Sequence, residues 1–101
     1  MLTPKAMEDF KIFIERRIVY ARYKIGGTYH KAEIHRKERL PDGKVAVYFS
    51  IIPEAESDVV ITEVQLFDTD NQLWASKAEN IEVKSVQQGV LYRFAFDIKE
   101  V

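Results

Sequence analysis

Two histidines, His30 and His35, are the only imidazole groups in this sequence, and cysteine is absent. Without cysteine the chain cannot form a disulfide, a cysteine zinc site, an iron–sulfur cluster or a thiol nucleophile. Side chains alternate along a strand, so two histidines five residues apart point to opposite faces and cannot share one metal ion unless a bulge lies between them. We therefore expect no metal site and no cofactor.

Patterns typical of enzymes are also missing. Gly26 and Gly27 lack the third glycine and the following helix of a nucleotide-binding loop. No serine has the surroundings of a nucleophile elbow, and the carboxylates Glu54, Glu56 and Asp58 fit a solvated acidic loop over residues 53–58. We expect no catalytic residues and a protein that is not an enzyme.

The segment Asp68-Thr69-Asp70-Asn71 begins like a calcium-binding loop, with oxygen ligands at alternate positions. Leu73 stands at its sixth position, where an EF-hand loop needs glycine. Asp and Asn are favoured in hairpin turns for backbone reasons. The sequence therefore predicts a turn here rather than a metal site.

Basic residues interleaved with tyrosines form the main candidate for partner binding. Single-strand nucleic-acid binders combine aromatic rings with Lys and Arg in this way. The set comprises Arg16, Arg17, Arg22, Lys24, Lys31, Arg36, Lys37 and Arg39, with Tyr20, Tyr23 and Tyr29. Glu15, Glu33 and Glu38 lie among them, and the net charge of the chain is −1. We therefore expect Arg22, Lys24, Arg36, Lys37 and Arg39 to contact protein, and keep a small nucleic-acid-binding module as the alternative.

The elements that must position these residues can be read from the hydrophobic period. Thr3 as N-cap, Pro4 and an apolar stripe at helical spacing predict a helix over residues 4–17, docked on a sheet through Phe10, Phe13 and Ile14. From Ile18 the period becomes two, and turn residues recur at short intervals. The chain is expected to be one domain over residues 1–101, with a helix at 1–17 and a β-rich body at 18–101.

About seven strands are expected, at residues 18–25, 28–40, 45–51, 59–67, 73–76, 81–86 and 90–98. Alternation predicts an apolar face in each of the first, fourth and last strands: Val19, Ala21, Tyr23 and Ile25; Val60, Thr62, Val64 and Leu66; and Val90, Tyr92, Phe94, Phe96 and Ile98. The turns between them include Gly26-Gly27, Pro41-Asp42-Gly43, 68–71 and 87–89. The fold class is therefore α+β, with the helix packed on a mostly antiparallel β-sandwich or rolled sheet.

Trp74 is the single tryptophan, and its strand neighbours Leu73 and Ala75 share the opposite face. If Leu73 is buried in the core, Trp74 faces outward and is at least partly exposed. Since tryptophan is enriched as an interface anchor, we expect Trp74 to bind a partner unless a second sheet covers it.

The segment 61–75 resembles a recurring hairpin of tail-fibre, baseplate and minor structural proteins of tailed bacteriophages and prophages. Its pattern is Ile-x-Glu-Ile/Val-x-Leu-Phe-Asp-x-Asp-Gly-x-Leu-x-Ala. It is matched here by Ile61, Glu63, Val64, Leu66, Phe67, Asp68, Asp70, Leu73 and Ala75, with Asn71 in place of Gly. The resemblance implies a structural or assembly protein of a phage or prophage tail or baseplate, assembled in the bacterial cytoplasm and located in the virion.

Charge is divided unevenly along the chain. Residues 1–50 hold eleven basic and six acidic side chains, a balance of +5, and residues 51–101 hold four and ten, a balance of −6. Complementary surfaces of this kind speed encounter and fix register. We expect a homo-oligomer that also docks on other tail proteins, unless the fold interleaves the two halves. No apolar run reaches the roughly 20 residues of a membrane helix, so no membrane partner is expected.

Overall fold

The computed structural model describes residues 1–53, 57–85 and 89–99. Within these ranges one helix precedes six strands: α1 (Pro4–Arg17), β1 (Ile18–Ile25), β2 (Thr28–Arg39), β3 (Val45–Ile51), β4 (Val59–Asp68), β5 (Leu73–Val83) and β6 (Val90–Phe96). In the described part of the chain no helix has the length and apolar character needed to cross a bilayer. Residues 54–56 of the predicted acidic loop and 86–88 of a predicted strand end and turn lie outside the described residues.

Helix α1 has the predicted bounds because its sequence supplies both ends. The Thr3 hydroxyl accepts a hydrogen bond from the Ala6 N–H at 3.1 Å, and Pro4 occupies the first turn, where its missing N–H costs nothing. Arg16 and Arg17 lie in the last turn, close to the negative end of the helix dipole. The chain then enters β1 directly at Ile18.

The strands form one antiparallel sheet in the order β5-β4-β1-β2-β3-β6. The sheet is nearly closed, because its end strands β5 and β6 meet through side chains. The rings of Trp74 and Phe96 lie edge to face at 5.2 Å, and the Tyr92 hydroxyl donates to Glu79 at 3.1 Å. The α+β class is confirmed, in the form of a helix followed by a barrel-like sheet.

Over the residues it describes, the structure has six strands where seven were predicted. The segments predicted as separate strands at 73–76 and 81–86 belong to one strand, β5. Ile61 pairs with Ile81 and Glu63 pairs with Ala78, so β5 carries one extra residue near Asn80. This bulge keeps β5 paired with β4 from Leu73 to Val83. The polar residues that suggested a break therefore lie within a continuous ladder.

Bulges also shift which residues face inward. Val60 and Thr62 of β4 were predicted to share the core face, but both are exposed, and Ile61 is fully buried instead. In β1, Val19 was predicted inward and is 43% exposed, because a register shift separates Ile18 from Tyr20. A single extra residue reverses the inward side of a strand, which explains both corrections.

Strand β2 pairs with two different neighbours. Its first half, residues 28–33, pairs with β1, and its second half, residues 34–39, pairs with β3. The register shifts between Ile34 and Arg36, at the point where the partner changes. The strand therefore bends there and links the two halves of the sheet.

The core fills the inside of this curved sheet. Its largest fully buried side chains come mainly from β3 and β4, with one from the junction of helix and β1: Phe49, Ile18, Ile51, Ile61, Leu66, Val45, Val47 and Val64. From α1 only Ile14 joins this cluster. The predicted docking through Phe10 and Phe13 is wrong, since these rings are 48% and 56% exposed. Helix α1 thus has two apolar stripes. The stripe that contains Ile14 packs inward, and the stripe that contains Phe10 and Phe13 faces outward.

Substitution of Ile14 and Phe13 by alanine should separate the two stripes. Ile14→Ala removes buried methyl groups and should lower the free energy of unfolding by about 2–5 kcal/mol. Phe13→Ala changes a largely exposed side chain and should cost less than about 1 kcal/mol. Urea unfolding of both variants measures this, and a larger loss for Phe13→Ala would contradict the orientation of the helix.

Candidate partner-binding surfaces

The structure divides the six predicted binding residues among three places. Arg22 and Lys24 lie on the outer face of the sheet, where β1 is flanked by β2 and β4. The second half of β2 carries the other three cations, Arg36, Lys37 and Arg39. Trp74 lies on β5. The predicted residues therefore do not form one continuous site.

Arg22 lies at the centre of a cluster of rings on the outer face. Its guanidinium carbon is 4.4 Å from the ring centre of Phe67 and 4.6 Å from that of Tyr29. Its Nε and Nη2 groups both donate to the Gln65 side-chain oxygen, at 3.2 and 2.9 Å. Two rings and one amide thus fix the direction of this cation.

The neighbouring side chains continue this arrangement. Lys24 lies 5.3 Å from the Tyr29 ring centre, Lys31 lies 4.7 Å from that of Tyr20, and Tyr20 stacks on Phe67 at 4.9 Å. We call this set the aromatic face; it consists of Tyr20, Arg22, Lys24, Tyr29, Lys31 and Phe67. Tyr23, predicted with the other tyrosines, is buried on the opposite side of the sheet.

A hydrogen bond fixes the exposed end of the aromatic face. The Tyr29 hydroxyl donates to a Glu63 carboxylate oxygen at 2.5 Å, and Ser76 donates to the other oxygen at 3.0 Å. The bond to Glu63 raises the pKa of the Tyr29 hydroxyl, and the same bond holds the pKa of Glu63 below its ordinary value. The cations and rings of this face therefore find partners within the chain.

Lys37 and Arg39 attach the helix to β2. The Lys37 ammonium donates to the backbone oxygen of Ile18 at 2.6 Å and to that of Glu15, at the carboxyl end of α1. Burial lowers the pKa of Lys37. Arg39 binds both Glu8 and Glu15, with contacts of 2.7 to 2.9 Å. These two predicted binding residues thus hold α1 in place.

Arg36 has a third environment, beside β3. Its guanidinium carbon lies 4.2 Å from the ring centre of Tyr48, and its Nε lies 3.4 Å from Glu38. The side chain of Arg36 is about half exposed. Of the three cations on this half of β2, it is the one placed at the surface without holding the helix.

The hairpin at residues 68–71 is a turn, as predicted. Asn71 has a φ of 58°, a left-handed conformation that asparagine tolerates well. Asp68 Oδ1 accepts from the N–H groups of Asp70 and Gln72, at 2.9 and 3.0 Å. Arg17 donates to Asp68 Oδ2 at 3.2 Å and to Asp70 at 2.8 Å. The carboxylates thus stabilise the turn and tie it to the end of α1.

Trp74 is half-buried, and the face assignment of its neighbour is wrong. Leu73, predicted to be inward, is 52% exposed, whereas Trp74 and Ala75 pack against the core. A register shift between Leu66 and Phe67 on β4 moves the start of β5 out of simple alternation. Trp74 is partly exposed, but its ring contacts Phe96 rather than pointing straight outward.

The two histidines line an opening between β2 and Ile52, the residue that follows β3. His30 stacks on Tyr23 with ring centres 5.3 Å apart, and His35 lies at the bend of the strand. Across the described ranges, no group of three or more potential ligands among His, Cys, Asp and Glu is placed to hold a metal ion. Of the acidic-loop carboxylates, Glu54 and Glu56 lie outside the described residues.

Two surfaces were not predicted from the sequence. One is an outer stripe on α1, formed by Ala6, Phe10 and Phe13, which borders an open depression of about 540 Å³. The other is the edge of β2 at residues 28–33, beside the opening just described. The helical spacing of Ala6, Phe10 and Phe13 was visible in the sequence, but the partner change of β2 left no sequence signal.

Comparison of the chain with models of protein families, with curated proteins and with solved structures gave no match.

Asp68 should make stability depend on pH. Hydrogen bonds, first from the Gln72 N–H and also from Asp70 and Arg17, hold the pKa of Asp68 below its ordinary value. Its stabilisation is therefore present above the unfolded-state pKa of about 4 and is lost as pH falls through the lower folded-state pKa. The urea midpoint of Asp68→Asn should be below that of wild type at pH 7, and this gap should narrow below about pH 4.

Asp97→Asn is the control for Asp68→Asn, because Asp97 lies near the surface and its ion pair within the described ranges is with Lys99, at 3.3 Å. Its midpoint should stay close to that of wild type from pH 7 to acid. If the difference in urea midpoint between wild type and Asp68→Asn keeps its full size in acid, ionisation of Asp68 does not stabilise the turn.

The contact of Trp74 with Phe96 predicts partial quenching of tryptophan fluorescence by iodide. Phe96→Ala should increase the quenching constant, because it removes the ring whose edge shields the indole. Phe10→Ala, on the outer stripe of α1, should leave the constant unchanged. Equal quenching of wild type and Phe96→Ala would contradict the contact.

Proposed function

We propose that the chain is a non-enzymatic assembly protein that acts through protein–protein contacts, in the tail or baseplate of a phage or prophage. The observation that carries the proposal is the outer stripe of α1. Phe10 and Phe13 are about half exposed on a helix whose opposite stripe is already packed. Exposed aromatic side chains in a row are characteristic of surfaces that a partner covers.

The size of the stripe indicates the kind of assembly. A phenylalanine side chain buries roughly 150–250 Å² when fully covered, so two half-exposed rings offer about that area together. A stable interface needs roughly 800 Å² from each partner. The stripe alone is therefore suited to weak, concentration-dependent contacts that become strong when many copies are held in one assembly.

The hairpin at residues 61–75 supports the tail assignment. Its resemblance to a hairpin of phage tail proteins covers both β4 and the start of β5. The paired carboxylates of that pattern, Asp68 and Asp70, have a structural use here, since both contact Arg17 at the end of α1. Tail, baseplate or lysis genes beside the gene for this chain would be the expected genomic setting, and unrelated metabolic neighbours would argue against it.

The alternative of a nucleic-acid-binding module is less well supported by the aromatic face. Bases stack on ring faces that are open to solvent. Here Phe67 is buried beneath Tyr20 and Arg22, and Tyr29 lies beside two cations. The rings are used in contacts within the sheet, so we favour the protein-binding function.

Sedimentation velocity tests the proposed assembly. Over a concentration series, the wild-type chain should show a rising weight-average sedimentation coefficient. The double variant Phe10→Ser/Phe13→Ser should lose that rise and remain folded, because neither ring belongs to the core cluster. High salt should weaken the association only slightly if apolar contact drives it.

Leu91→Ser is the matched control, because Leu91 is a similarly exposed apolar residue, 53% exposed, on β6. It should associate like wild type. A monomer at every concentration and salt for the wild-type chain, together with no binding to tail proteins, would contradict the assembly function. If Leu91→Ser loses association as fully as Phe10→Ser/Phe13→Ser does, the outer stripe has no special role.

A further inference from the structure

An open groove lies between β2 and the end of β3. It consists of two adjoining depressions of about 450 and 610 Å³, which share Tyr23, Lys31 and Ile52 in their walls. It exists because β3 pairs with β2 only from Ile34 onward, so residues 50–52 separate from residues 28–33. One wall of the groove is therefore the edge of a strand.

The register shows which backbone groups this edge presents. Ile25 and Thr28 are paired across the two-residue loop Gly26-Gly27, so they must exchange both hydrogen bonds. Alternation then directs the backbone groups of His30 and Ala32 toward β1. The N–H and C=O groups of Tyr29 and Lys31 point the other way, into the groove. Among the described residues, none pairs with these groups.

We propose that the edge of β2 at Tyr29 and Lys31 binds an extended, acidic segment of a partner protein by adding it as a strand. This mode of recognition uses main-chain hydrogen bonds for affinity and alternate side chains for specificity. The groove is long enough for a short segment of about five residues beside the strand. This site is separate from the outer stripe of α1 and goes beyond the proposed function.

The two sides of an added strand would meet different chemistry. Residues opposite Tyr29 and Lys31 would lie on the outer face, near the cations Arg22 and Lys24. Residues between them would face into the groove, against Tyr23 and Ile52, and should be apolar. Lys31 is 60% exposed, so a carboxylate opposite it would gain an ion pair across the strands.

A second copy of this chain is a poor occupant of the same edge. Two β2 edges paired about His30 would place two sets of Arg22, Lys24 and Lys31 on one continuous face. Among the residues that the structure describes, Glu33 and Glu63 of each copy would oppose these cations, and Glu63 is already bonded to Tyr29. Like charges brought together in this way disfavour self-pairing and favour an acidic partner.

Amide hydrogen exchange of the free protein provides the first test. His30 and Ala32 should be protected by β1, whereas Tyr29 and Lys31 should exchange fast. Equal protection of all four amides would show that the edge is already covered, and would overturn the proposal. Protection of Lys31 that rises with protein concentration would make a second copy the occupant, and would also overturn it.

Peptide binding provides the second test. The probe is an acetylated and amidated peptide of sequence Ser-Val-Glu-Val-Thr-Val-Ser, and its binding is measured from the amide chemical shifts of the protein. The probe should slow exchange at Tyr29 and Lys31 and shift their resonances most. In antiparallel pairing the glutamate and threonine of the probe lie opposite Lys31 and Tyr29 and exchange the main-chain bonds with β2. A probe with the threonine replaced by proline should bind about tenfold more weakly, because it loses the N–H that donates to β2. A probe with lysine in place of glutamate should also bind more weakly. Equal binding of all three probes, or no binding by the first, would overturn the proposal.

Two substitutions at one position separate the backbone from the charge. Lys31→Pro removes the outward N–H but no bond to β1, so the chain should fold with an unchanged circular dichroism spectrum. Lys31→Thr keeps the N–H and removes only the charge. The acidic probe should bind about tenfold more weakly to Lys31→Pro than to Lys31→Thr. Equal affinity of the two variants would overturn strand addition, and the proline probe keeps the test valid if Lys31→Pro does not fold.

Discussion

The change of partner within β2 is the constraint on which the rest of the fold depends. One strand of 12 residues belongs to the ladder with β1 in its first half and to the ladder with β3 in its second. The bend between Ile34 and Arg36 therefore curls the whole sheet and brings β5 toward β6. The same bend opens the groove beside Lys31. Near-closure of the sheet and the exposed edge thus have one origin.

The attachment of α1 shows how polar contacts can replace a large apolar interface. Ile14 is the single helical residue of the described chain in the core cluster, and the helix is otherwise held by Lys37, Arg39 and Arg17. The molecule is elongated, 52 × 29 × 23 Å, with a radius of gyration of 15.2 Å. A compact chain of this length would have about 13 Å. A helix held in this way leaves its second apolar stripe at the surface.

Local signals in the sequence predicted the elements well, because they depend on neighbouring residues. The cap at Thr3, the loop Gly26-Gly27 and the turn at Asn71 each formed where expected. The alternating face of β6 was also predicted: Val90, Tyr92, Phe94 and Phe96 are turned toward the core, and Leu91 is exposed. Short-range chemistry thus determines the helix cap and these turns, whereas the continuity of β5 depends on its pairing with β4.

Inward and outward faces were harder to predict, since a bulge depends on the partner strand. Leu73, Val60 and Val19 were assigned to the wrong side because the register shifts of β4 and β1 cannot be read from either strand alone. The basic residues present the same difficulty. Their composition indicates a cationic surface, but Lys37 and Arg39 bind the helix only because the fold brings residues more than 20 positions apart together.

The order of the strands also determines what becomes of the uneven charge. β1, from the basic half, lies beside β4 from the acidic half, so Arg17 meets Asp68 and Asp70 and the cations of β1 lie near Glu63. Interleaving therefore neutralises much of the separation seen along the chain. These cations and rings have partners within the sheet. Within the described ranges, we therefore propose two kinds of group for contact with another molecule: the apolar stripe of a helix and the main chain of a strand edge. Neither depends on net charge, so the recognition we propose for this fold rests on shape and hydrogen bonding, with charge selecting among the segments that fit.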